Sequence, residues 1–74
     1  MPLSNNTKVR IVTGNISFFT TVKQIRECIG SHADFNLHCI KALNSLEELR
    51  DNNDIKPIGV NCVFGNSYIQ LDIL

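Results

Sequence analysis

The residues able to do chemistry in this 74-residue chain are few and widely spaced: Cys28, Cys39 and Cys62, His32 and His38, and seven carboxylates. The densest group is His32, Asp34, His38 and Cys39. Zinc sites draw ligands from short, repeated spacings, and a six-residue gap between two histidines matches none of them. On a strand His32 and His38 would share a face, while Cys39 beside His38 would point to the other, which also denies a histidine-activated thiol. No metal site is expected. Glu27, Glu47, Glu48, Asp51 and Asp54 contain no pair that reads as acid and base, and Glu47, Glu48 and Asp51 suit the solvated face of a short helix. Gly14 stands alone, so there is no glycine-rich phosphate loop. Ser17 and Thr20 offer hydroxyls only, and Ser17 reads as an ordinary helix N-cap. The expectation is a binding protein with no catalytic residue and no cofactor. The enzyme alternative is a thiol oxidoreductase using a single cysteine such as Cys28.

Composition narrows the partner class. At 43% hydrophobic and 19% charged, the chain suits one small folded domain rather than a disordered segment. Seven basic residues balance seven acidic ones, and the basic ones are scattered. A nucleic-acid binder needs them clustered, so none is expected. No run approaches the roughly 20 apolar residues that cross a bilayer. The polar opening lacks the pattern of a secretory signal. An odd, widely spaced set of cysteines in apolar runs reads as reduced core thiols, which implies a cytoplasmic protein.

These residues need elements to position them. Residues 1–7 read as a flexible lead-in, and 8–74 as one α/β domain. Lys8 to Val12 alternates charged and β-branched residues, a strand ended at Thr13-Gly14-Asn15. Phe18, Val22, Ile25 and Ile29 fall on one stripe of a helical period, with Ser17 as N-cap and Gly30 as C-cap. Thr21 with Gln24 forms a competing capping box, and the earlier start is preferred because it buries Phe18. Phe35, Leu37 and Cys39 alternate as in a second strand, with a helix through His38 to Leu49 as the rival. Ser45 with Glu48 opens a helix from about 46 to 52. Gly65-Asn66 marks a two-residue hairpin. Pairing outward from it sets Cys62 opposite Ile69 and Val60 opposite Leu71 on an apolar face, and Val63 opposite Tyr68, Asn61 opposite Gln70 and Gly59 opposite Asp72 on a polar one.

The expected order is β-α-β-α-β-β, with the first two strands parallel through a right-handed crossover. With Lys56-Pro57-Ile58 ahead of the hairpin, and Ser17-Phe18-Phe19-Thr20 in the slot of a Cys-x-x-Cys pair, the layout resembles the thioredoxin-like fold without its last helix. Lys8 to Thr13 is similar to the first strand of glutaredoxins. Ile11-Val12-Thr13-Gly14-Asn15 resembles the cysteine-free circadian-clock KaiB type, which implies action by partner binding. A rival resemblance, to a response-regulator receiver, rests on Lys8 to Ile25 and Gln70-Leu71-Asp72-Ile73. Thr13-Gly14 stands there where the metal-binding acidic pair belongs.

The resulting expectation is a protein-binding or regulatory module. Its contact surface comprises Asn15, Ile16 and Phe19 at the first helix start, Tyr68, and the edge strand of the hairpin. A sheet face left open by the missing helix is expected to favour a homo-oligomer.

Overall fold

Two-residue turns organise the molecule. The computed structural model describes residues 3–27 and 33–74. In order come β1 (Lys8–Thr13), β2 (Ile16–Thr21), α1 (Val22–Glu27), α2 (Ala33–Asp51), β3 (Gly59–Phe64) and β4 (Ser67–Ile73). Gly14-Asn15 joins β1 to β2 and Gly65-Asn66 joins β3 to β4. Each glycine takes positive φ, +56° and +62°, and no other described residue does. A turn with positive φ at its first central residue alone is the II′ type, whose twist matches that of the strands it joins.

The sheet order is β2-β1-β4-β3, every neighbouring pair antiparallel. The C-terminal hairpin has the register read from the sequence, Gly59 opposite Asp72 through Phe64 opposite Ser67. The expected order does not hold elsewhere. The described strands include no parallel pair and no β-α-β crossover, so the small α/β class stands without a thioredoxin-like arrangement of its elements. Residues 16–21 form a strand where a helix start was expected. Ile16-Ser17-Phe18-Phe19-Thr20-Thr21 is a run of β-branched and aromatic residues, which favour a pleated surface.

The helix begins at the competing capping box. The Gln24 amide donates to Thr21 Oγ1 at 3.2 Å, and Gln24 Oε1 accepts from the Thr21 amide at 3.2 Å and from Thr20 Oγ1 at 2.8 Å. Ser17 is therefore no N-cap. The second strand expected around Phe35 is the first part of α2. Cys39, Ala42, Leu43 and Leu46 bury on one helical stripe, while Leu37 is 48% exposed. Ser45, expected to start a helix, lies in the middle of this one. Beyond Asp51, side chains satisfy the last carbonyls: Asn53 Nδ2 donates to Leu49 O and Lys56 Nζ to Arg50 O, both at 2.6 Å.

Alternation in the strands separates two faces. Val9, Ile11, Ile69 and Leu71 pack with Val22 and Ile25 of α1 and with the α2 stripe in one core. Leu3 packs against that core, and residues 3–7, expected to be a loose lead-in, make specific bonds. The Val22 amide donates to Thr7 O at 3.0 Å and the Lys23 amide to Asn5 O at 3.1 Å. Arg26 bridges this segment to both helices, donating to Asn5 Oδ1 and pairing with Glu47. No helix among the described residues is long and apolar enough to cross a membrane.

The helix start is directly testable. Thr21→Ala is expected to cost about 1 kcal/mol in chemical denaturation, the usual worth of an N-cap, and Ser17→Ala close to nothing. The reverse ranking would restore the earlier start.

Candidate functional site

The helices cover one face of the sheet and leave the other open. Across its middle row run Phe19 on β2, Arg10 on β1, Asp72 on β4 and Gly59 on β3. The next row is Ser17, Val12, Gln70 and Asn61, and beyond it lie Tyr68 and Val63. The open face carries the hairpin's polar side, as its register implies, and is polar at its centre and apolar at its margins. Phe19 is 70% exposed, Val63 75% and Tyr68 44%.

One carboxylate organises the centre. Asp72 Oδ2 accepts from Arg10 Nη2 at 3.1 Å and from Gln70 Nε2 at 2.9 Å. Gly59 leaves room for this carboxylate, because a Cβ at that position would clash with Asp72 Oδ1. The arrangement presents a neutralised ion pair rather than a free charge, which suits a partner of mixed polarity.

Both hairpin turns lie at the same end of the sheet, and Tyr68 ties them together. Its hydroxyl donates to Gly14 O at 3.3 Å, while Thr13 Oγ1 donates to Tyr68 O at 2.7 Å. Tyr68 is thereby set beside the turn that carries Asn15 and Ile16, both exposed. Of the four residues expected to make contacts, Asn15, Ile16 and Tyr68 share this end. Phe19 sits nearer the middle of β2. None is at a helix start. Their grouping has a sequence cue that the helical reading hid: Gly14-Asn15 is the same hairpin dipeptide as Gly65-Asn66.

The other sequence candidates do not assemble. Ser17 and Thr20, three apart on a strand, point to opposite faces and form no site pair. Cys28 and His32 lie outside the described residues, as does the Asp34 side chain. Cys39 is 3% exposed in the core, and the described residues contain no group of three metal-ligating side chains. A cleft of about 390 Å³, lined by Ile11, Phe18, Ile25, Phe35, Asn36 and Cys39 among others, opens between the sheet and the helices. Sequence reasoning missed it, having placed Phe35 and Cys39 on a strand. Its lining also includes Glu27.

The need for glycine at position 59 gives a sharp expectation. An exposed ion pair such as Arg10–Asp72 is worth about 0.2–1 kcal/mol in a double-mutant cycle. In a Gly59→Ala background that coupling should vanish, because the added methyl evicts the carboxylate. An unchanged coupling energy would show that Asp72 reaches Arg10 without lying over residue 59.

Comparison of the chain with protein-family models, with curated proteins and with solved structures finds no match, so the functional reading rests on this geometry alone.

Proposed function

We propose that this protein is a non-catalytic protein-binding module that contacts its partner through the open sheet face and the adjoining β2 edge. The observation that carries the reading is the exposure of Phe19, Val63 and Tyr68 around the Arg10–Asp72–Gln70 network on a face that no helix among the described residues covers. Aromatic side chains deliver large contact area for little entropy loss and are enriched at interfaces. The polar centre supplies hydrogen-bonding groups already held in place. Charge supports a protein partner over nucleic acid, since seven basic residues are balanced by seven acidic ones. What the reading shares with the cysteine-free thioredoxin-like proteins is the mode of action, binding without redox chemistry. Cys62 is a free thiol, which fits a reducing, cytoplasmic setting.

The test is chemical cross-linking in source-cell lysate with three tagged forms: wild type, the double variant Phe19→Ser/Tyr68→Ser, and Leu37→Ser on the exposed side of α2. Wild type and Leu37→Ser should retain the same proteins at similar yield, and the double variant should lose them. Retention by the double variant at wild-type yield would reject this surface as the binding site.

A further inference from the structure

The β2 edge carries a more specific reading, which rests on the binding-module proposal and narrows its partner. We propose that a second copy of this chain adds to β2 about a two-fold axis. Phe18 then lies opposite its own counterpart, and the two sheets join into one of eight strands.

The hydrogen-bond phase of the sheet sets which β2 groups face outward. In a hairpin with a two-residue loop the flanking pair exchanges both bonds, and bonded and non-bonded pairs then alternate. Thr13 and Ile16 are that pair here, followed by Ile11 with Phe18 and Val9 with Thr20. Two bonds outside the strands confirm the phase. The Val22 amide donates to Thr7 O at 3.0 Å, continuing the β1–β2 ladder, and the Leu74 amide donates to Lys8 O at 3.0 Å on the β4 side of β1. Ile16, Phe18 and Thr20 therefore turn their backbone groups toward β1, while Ser17, Phe19 and Thr21 turn theirs outward. The Thr21 amide is already taken by Gln24 Oε1. Two amides and two carbonyls, those of Ser17 and Phe19, remain to be paired.

Only one two-fold antiparallel register uses all of them. Setting Ser17 of each copy against Phe19 of the other makes four backbone hydrogen bonds. Centring the axis on Phe19 would waste Ser17 against the capped Thr21. The favoured register also matches side chains. On the helix side it puts Ile16, 62% exposed in one copy, against Thr20 of the second, with the two Phe18 rings between. On the open face the two Phe19 side chains become diagonal neighbours, within aromatic reach.

Composition selects this edge and this occupant. Ile16 to Thr21 contains no charge, proline or glycine, the usual guards against edge pairing, so like meets like without repulsion. The β3 edge turns outward Gly59, Asn61 and Val63, and Pro57 stands just before it. Glycine and asparagine are poor strand residues, so that edge is the weaker template. Pairing β2 with the β3 edge of another copy would give an open filament, whereas pairing β2 with itself closes.

Four hydrogen bonds make a small interface, so the dimer should be weak, with dissociation in the range of about 10 μM to 1 mM. Amide hydrogen exchange on the wild-type protein, followed by NMR across that range, reads the edge directly. The Ser17 and Phe19 amides should slow about tenfold as the dimer fills, while Asn61 and Val63 on the other edge stay fast. Ser17→Pro removes an outward amide and no β1–β2 bond, so it should sediment as a monomer at concentrations where Asn61→Pro dimerises like wild type. A monomer at every concentration, or protection at Asn61 and Val63 in place of Ser17 and Phe19, overturns the proposal. A monomer that still loses its lysate partners on Phe19→Ser/Tyr68→Ser would reject the second copy alone. Failure of both tests would reject the binding surface as well.

Discussion

The pairing of β1 with β4 is the contact on which the rest of this structure depends. A two-stranded hairpin alone is marginal in water, and the described residues form two. Joining them along Val9 to Val12 and Gln70 to Ile73 makes a four-stranded sheet with one continuous apolar face. Val9, Ile11, Ile69 and Leu71, all at 0–1% exposure, then sit side by side beneath the helices. Those helices could not bury their own stripes otherwise. The contact joins residues about sixty positions apart, so its loop-closure entropy must be met by the core it completes. In a domain this short, truncating a buried pair on this seam, at about 2–5 kcal/mol per side chain, would remove much of a small margin.

Local chemistry was legible where one reading satisfied every neighbouring residue. Gly65-Asn66, flanked by alternating apolar residues on both sides, specified its hairpin and register. Gly14-Asn15 carries the same dipeptide, yet Phe18, Val22, Ile25 and Ile29 also fit a helical stripe. Phe18 faces the core under either reading, because β2 sets it opposite Ile11 on the side the helices cover. What separated the alternatives was the capping chemistry of Thr21 and Gln24, together with the β-branched and aromatic run before it. The Phe35-Leu37-Cys39 alternation misled for a related reason. Cys39, Ala42, Leu43 and Leu46 share a helical stripe with a period that only a longer window reveals. The Ser45–Glu48 motif, inside α2, shows that a capping box marks a start only where the preceding chain is not already helical.

Phe19 and Tyr68 were identifiable as exposed aromatics, although the helix start assigned to Phe19 does not exist. The arrangement around them was not legible. Arg10 and Asp72 are sixty-two residues apart, and only the β1–β4 register makes them neighbours. The β3–β4 register, which the hairpin pattern did specify, explains Gly59: it lies opposite Asp72 and leaves room for that carboxylate. The open face is largely polar, and the edge of the sheet at β2 carries no charge, proline or glycine.

Interstrand contacts in solution test the architecture most directly. In an antiparallel ladder, Hα atoms approach closely only across non-hydrogen-bonded pairs. The hydrogen-bond phase makes Val9–Ile73 and Ile11–Leu71 such pairs between β1 and β4, and Arg10–Phe19 and Val12–Ser17 such pairs between β1 and β2. NMR should show strong Hα–Hα Overhauser contacts at all four. Helical contacts between residues three apart across Ser17 to Thr21, with no contact between Ile11 and Leu71, would contradict the antiparallel sheet and everything derived from it.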